Sequence, residues 1–323
     1  MKKTALLIVI LLFIGQPVSY ASYAVIDGHT ARIFYASAPH IKMPIASLTK
    51  IWTALVVIEN AELDELVTVS QKATLSEGSS IYLKEGEQVT VNELLHGLMM
   101  RSGNDAAMAL AEHVGGSEEG FVFLMNERAK NAGLRNTTFT NPSGLHHDNH
   151  LSTAYDTAKM LQIAMSNKKF KKIASAKHYN GSRTTWQNKH KLMHVQQSGV
   201  LAGKTGYTKV AGRTLATYFS VNEKEFIVVT LNEANDWNFH LHLAGLVNEN
   251  YTLHKLIKKG TYKTTEKATI SIKEPVSILL SAEEYPKLSH ILLRSTKTIR
   301  PYAIWQIRLN NEPIYHFPVE LKK

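Results

Sequence analysis

The chain has 323 residues, 44% of them hydrophobic and 20% charged, a composition that excludes a disordered protein and allows one main domain plus a smaller one. It contains no cysteine, so a disulfide framework, a thiol nucleophile and a thiolate metal site are all excluded. The formal net charge is +10, a diffuse positive field that suits anionic polymers or lipid head groups, or serves solubility alone.

In chain order, Lys2 and Lys3 precede an apolar run over residues 4–15, and Ser19-Tyr20-Ala21 places small residues at the −3 and −1 positions of a cleavage site. That three-part layout is a secretory signal peptide, residues 1–21, cut after Ala21. The run is shorter than the ~20 residues of a spanning helix. Export argues against nucleic acid as a partner and leaves wall polymers or a peripheral membrane contact. Residues 23–26 and 33–36 read as short strands about the Asp27-Gly28 turn. Residues 47–58 are apolar on nearly every face, as in a helix buried on most sides. Helices are expected over 91–100, 105–114 and 117–132, the last with Ser117 as N-cap, Glu118 and Glu119 in its first turn and Gly133 as its stop. Another is expected over 153–165, capped by Ser152. Strands at 201–207, 214–221 and 226–231 follow, then a helix from Asp236 to about Lys258. Strands at both ends with helices between describe an α/β domain, residues 22–259, whose sheet carries an inserted helical block. Past Gly260 the short alternating runs, ending at 314–319, read as a small all-β domain, 260–323.

Three short motifs stand in order. Ser47-Leu48-Thr49-Lys50 opens the buried helix, Ser102-Gly103-Asn104 lies in a turn between helices, and Lys204-Thr205-Gly206 lies on the first strand of the later group. Each is weak alone: Ser166-Asn167-Lys168-Lys169 repeats the first pattern in a lysine-rich surface turn, and Ser220-Val221-Asn222 repeats the second at a hairpin. Positions i and i+3 share a helix face, so Lys50 lies beside Ser47. A serine hydroxyl needs a neighbouring base to become a nucleophile, and a lysine among apolar neighbours is neutral more readily. A helix N-terminus also points N–H groups toward a developing oxyanion. The competing reading is an N-cap serine with a snorkelling lysine. Ser102 and Asn104 supply a hydroxyl and an amide, or are simple turn residues. Lys204 and Thr205 offer a cation and a hydroxyl to a carboxylate and Gly206 admits a close backbone, or they are an exposed lysine with a bulge glycine.

Together these motifs resemble the signatures of penicillin-recognising serine enzymes. More narrowly, residues 44–50, 97–107, 141–145 and 203–208 are similar to the D-alanyl-D-alanine carboxypeptidases, the low-molecular-mass penicillin-binding proteins, with a further likeness to the sporulation-associated ones of Gram-positive bacteria. The resemblance covers roughly residues 24–251. It implies the penicillin-binding-protein/serine β-lactamase-like transpeptidase fold, and cleavage of terminal D-Ala from peptidoglycan stem pentapeptides with no cofactor. β-Lactams would be covalent inhibitors. It also implies Ser47 as the acylated residue, Lys50 as base, Ser102 as proton relay and Asn104 as peptide holder. Lys204 and Thr205 would bind the terminal carboxylate beside Gly206 and Thr208, and the backbone N–H groups of Ser47 and Tyr207 would form the oxyanion hole. Relatives keep an arginine after the strand that follows Lys-Thr-Gly. This chain has Asn235-Asp236-Trp237-Asn238 there, which puts more weight on Lys204, Thr205 and Thr208. Relatives often end in an amphipathic membrane helix, whereas Glu320-Leu321-Lys322-Lys323 follows a strand-like run.

A serine β-lactamase would share the motifs. Glu127 and Asn131 have the spacing of its deacylating pair, but they fall on the expected solvent face of a helix. A zinc D,D-peptidase would need ligands, and His146-His147-Asp148-Asn149-His150 is dense in them, yet no H-E-x-x-H pair accompanies it.

Overall fold

Strands from both ends of the main body meet in one antiparallel sheet in the computed structural model, which describes residues 21–263, 269–294 and 302–322. Of the leader expected at residues 1–21, residues 1–20 lie outside the described residues. The strands are β1 (Ser22–Asp27), β2 (Ile33–Ser37), β3 (Val200–Thr208), β4 (Gly212–Val221) and β5 (Lys224–Leu231). They lie in the order β2-β1-β5-β4-β3. Closure is made by β1 on β5, from Ser22 opposite Leu231 to Asp27 opposite Phe226. The consequence for function is that β3, which carries Lys204-Thr205-Gly206, is an edge strand.

Between β2 and β3 runs the helical block, with α1 (Thr49–Asn60), α2 (Asn104–Gly115), α3 (Glu118–Asn131) and α4 (Ala154–Ser166). Every residue of α1 from Thr49 to Ile58 is buried, which its all-round apolarity demands. Trp52 donates its indole N–H to the Met125 carbonyl at 3.0 Å, so α3 packs on α1. Ser117 caps α3 by accepting from the Gly120 N–H. The cap of α4 is a correction: Thr153, not Ser152, accepts from the Asp156 N–H at 3.0 Å. Ser152 is bound instead in a backbone bridge to Met43, with its hydroxyl 2.8 Å from that of Thr137.

A second correction concerns α5 (Asp236–Asn250), which stops well short of Lys258. Residues Thr252–Ile257 leave the helix to pair antiparallel with Val276–Leu280. A distant partner decides this, and local periodicity does not report it. The C-terminal β region adds a sheet in the order Gly260–Lys263, Thr269–Ile272, Glu312–Lys322, Tyr302–Leu309, Leu288–Leu293. It packs around its own core, which includes Ile270, Ile278, Leu280 and Ile307. Arg32 joins it to the main sheet, donating to Glu284 Oε1 at 2.5 Å and to the Leu279 carbonyl at 2.6 Å.

Candidate active site

The segment that opens α1 is held in an unfavourable shape. Ser47 lies in a 3-10 turn, Ala46–Leu48, that runs into α1, and Ala46 has φ of +48°, a region costly for any residue with a Cβ. A chain of hydrogen bonds holds it there. The Thr140 N–H donates to His150 Nδ1 at 3.1 Å, so the imidazole proton sits on Nε2. Nε2–H donates to Thr49 Oγ1 at 2.8 Å, and that hydroxyl donates to the Ala46 carbonyl at 2.8 Å. Behind the turn, Asn141 Oδ1 accepts the N–H groups of Ser143 and Gly144. Gly144 has φ of +84°, and a Cβ there would overlap the Ala46 carbonyl oxygen.

Lys50 is 0% exposed. Its Nζ lies 3.1 Å from Ser47 Oγ, 2.6 Å from Asn104 Oδ1 and 2.5 Å from the Ser143 carbonyl. Burial, aided by the charges of Lys204 and Lys189, lowers its pKa well below the ordinary lysine value, with Asp105 opposing. A neutral amine has two N–H donors and one lone pair. Neither Asn104 Oδ1 nor the Ser143 carbonyl can donate, so these take the two N–H groups. The lone pair is left for the Ser47 hydroxyl proton. The Asn104 amide is fixed in that sense, because its Nδ2 donates to the Glu77 carbonyl at 2.5 Å.

Ser102 follows a π-turn, Gly97–Arg101, and is itself left-handed at φ of +66°, so the chain reverses and presents its hydroxyl. That hydroxyl accepts from Lys204 Nζ at 3.0 Å, and the same ammonium donates to the Thr205 carbonyl at 2.7 Å. Burial and the nearby Lys189 charge lower the Lys204 pKa to about 7. Asp105 anchors the facing loop by accepting from Ser80 Oγ and from the N–H groups of Ile81 and Leu83. Gly206 presses on the nucleophile: a Cβ there would lie 2.9 Å from the Ser47 nitrogen.

Ser47, Ser102, Thr205, Gly206 and Tyr207 share the wall of one cleft of about 430 Å³, together with Arg213 and Trp237. Asn104 faces a neighbouring cavity of about 550 Å³ with Ser143 and Leu145. Thr208 is engaged in the β3–β4 turn, its hydroxyl accepting the Ala211 N–H at 3.0 Å. Ser166 ends α4 and Asn167 caps the next helix, so that repeat of the first motif lies between two helices, where a surface turn was expected. Glu127 is on the outer side of α3, 3.9 Å from Lys130. His146, His147 and Asp148 are exposed while His150 is buried. Among the described residues no group of three or more His, Cys, Asp or Glu could hold a metal ion. The sequence does not announce the roles of His150 and Asp105. No local signal marks them, because His150 acts on Thr49 and Asp105 on the loop at Ser80, both far back along the chain.

His150 is one of several buried neutral histidines. Burial pushes its pKa down to about 4, that of His190 to about 3 and that of His240 well below the usual value. Each binds a proton near pH ~6.5 when unfolded but not when folded. Stability is therefore intact above that pH and is lost as pH falls toward the folded values, by about 1.4 kcal/mol per pH unit per histidine. These three histidines should make thermal melting fall steeply as pH drops from about 6.5 toward 4.5. An unchanged Tm across that acid range would contradict neutral burial.

Residues 16–235 match the family model described as D-alanyl-D-alanine carboxypeptidase. The chain is 33% identical over 287 residues to D-alanyl-D-alanine carboxypeptidase DacF of Bacillus subtilis, covering 81% of this chain and 73% of that protein. It is 30% identical over 283 residues to D-alanyl-D-alanine carboxypeptidase DacD of Escherichia coli, covering 82% and 73%. Penicillin binding protein 6B of Escherichia coli superposes with a TM-score of 0.73 at 26% identity, covering 95% of this chain and 97% of that one. Penicillin binding protein 5 of Haemophilus influenzae superposes with a TM-score of 0.76 at 23% identity, covering 94% and 96%.

Proposed function

The chain belongs to the D-alanyl-D-alanine carboxypeptidase family of serine peptidases, and we propose that its chemistry runs through Ser47 as nucleophile, Lys50 as base and Ser102 as proton relay. It is a serine-type hydrolase of peptidoglycan metabolism that takes stem peptides ending in D-Ala-D-Ala and is acylated by β-lactams. The observation that carries the assignment is the Lys50 amine, whose two carbonyl partners leave its lone pair for the Ser47 proton.

Ser47 Oγ gives its proton to Lys50 Nζ and attacks the carbonyl carbon of the penultimate D-Ala. The oxyanion sits between the backbone N–H groups of Ser47 and Tyr207. On collapse of the tetrahedral species the proton passes to the leaving nitrogen through Ser102, whose hydroxyl Lys204 polarises, and D-Ala departs. Water then attacks the acyl-enzyme with Lys50 again as base. Asn104 holds the peptide on the acyl side. The edge of β3, with Lys204, Thr205, Gly206, Tyr207 and Thr208, receives the D-Ala-D-Ala end as an added strand. The leader directs this work outside the cell. The division of the chain falls at Tyr251 in this reading, and the β region beyond it positions the catalytic body against wall polymer or membrane.

The expected behaviour separates this enzyme from a β-lactamase. The one glutamate with the deacylating spacing, Glu127, pairs with Lys130, so the penicilloyl-enzyme persists while the peptide acyl-enzyme turns over. A stem pentapeptide should yield D-Ala over many cycles, with labelled penicillin retained for many minutes and a chelator changing neither. Rapid catalytic hydrolysis of penicillin would overturn the reading in favour of a β-lactamase, and inhibition by the chelator would favour a metal peptidase.

A further inference from the structure

A substrate that ends in a carboxylate needs a cation at the β3 edge, and Lys204 is poorly placed to be the whole of it. Lys204 is 2% exposed, its ammonium already donates to Ser102 Oγ and the Thr205 carbonyl, and it is not part of the cleft wall. The cations on that wall are Lys189, Lys191 and Arg213.

Arg213 differs from the two lysines in being oriented. It stands opposite Tyr207 in the β3–β4 ladder, with Leu215 opposite Thr205. Opposite residues of an antiparallel pair share a face, as do next-but-one residues along a strand. Arg213 and Thr205 are thus on one face of the sheet and Lys204 is on the other. Arg213 Nη2 donates to Asp236 Oδ1 at 2.7 Å. The Asp236 side chain is 3% exposed against 43% for the arginine, so a buried carboxylate aims a cation that still faces the cleft. Asp236 itself lies in the first turn of α5, where the helix dipole favours negative charge. The guanidinium carbon also lies 5.9 Å from the centre of the Trp237 ring, another wall residue. Among the described residues no side-chain hydrogen bond or ion pair tethers Lys189 or Lys191. A planar fork held in place loses little entropy on gripping a carboxylate in two-point fashion.

The geometry points to Arg213 as the residue that binds the terminal carboxylate of the peptide, with Thr205 as its hydroxyl partner and Asp236 as its positioning residue. This rests on the assignment of the same cleft to the Ser47 reaction. The test uses the full chain and two peptides identical except that one ends in D-Ala-D-Ala carboxylate and the other in the primary amide. Arg213→Ala should lower kcat/KM for the acid roughly tenfold to a hundredfold, chiefly through KM, as expected for losing a hydrogen bond to a charged group. The amide should be unaffected, so the preference for the acid collapses. Arg213→Lys should restore part of it, and Asp236→Asn should lose part for the acid alone, with thermal melting confirming the fold of each. An acid-over-amide preference unchanged in Arg213→Ala, an equal loss on both peptides, or a collapse produced instead by Lys189→Ala or Lys191→Ala would overturn the assignment. Failure of the Ser47 mechanism reads differently: wild-type protein would form no acyl-enzyme with either peptide.

Discussion

Replacing Lys50 by arginine should slow acylation, by penicillin and by peptide alike, roughly 10²–10⁴-fold, the usual cost of losing an essential base. The wild-type amine lies 3.1 Å from Ser47 Oγ, and the lysine is 0% exposed. Burial there is the largest cause of its lowered pKa. A guanidinium cannot be deprotonated in a protein, so Lys50→Arg keeps a cation and removes the lone pair. Lys50→Met, which keeps the apolar stem and removes the nitrogen, should be equally slow. Lys50→Met also leaves Asn104 Oδ1 and the Ser143 carbonyl without their donor, and Lys50→Arg buries a larger, permanently charged group, so both variants should melt below wild type. Rates are therefore compared per folded molecule. Acylation of either variant at near-wild-type rate would remove Lys50 from the role of base.

Much of this site can be read in the sequence, for reasons that concern spacing. The i and i+3 relation puts Lys50 against Ser47 wherever that segment is helical, and the unbroken apolarity of residues 49–58 announces both the helix and its burial. Alternation and turn residues mark β3, β4 and β5 to within a few residues. What escapes is decided by contacts between segments far apart in the chain. Ser152 has the chemistry of a helix cap, but Met43 and Thr137 claim it, and Thr153 takes the place. Residues 252–257 become a strand because Val276–Leu280 lies beside them. The left-handed Ala46 depends on His150, a hundred residues on in sequence, in a loop whose histidines suggest ligands when read as a string. Arg213 has no motif of its own, and only the ladder shows that it shares a face with Thr205.

The account stands on Ser47 being the residue that becomes acylated. Three features single it out from the other serine with the same local pattern. The 3-10 turn Ala46–Leu48 presents it at the head of a buried helix, Lys50 Nζ is 3.1 Å from its oxygen, and Gly206 brings the β3 edge against its nitrogen. Ser166, by contrast, donates to the Ile163 carbonyl at an exposed helix end. The most direct measurement is mass spectrometry of the intact protein after incubation with benzylpenicillin, followed by peptide mapping, on wild type, Ser47→Ala and Ser166→Ala. The expected result is a single penicilloyl adduct on the peptide containing Ser47, undiminished in Ser166→Ala and absent from Ser47→Ala. An adduct of equal occupancy in Ser47→Ala, or one mapped to another residue in the wild-type protein, would contradict the mechanism.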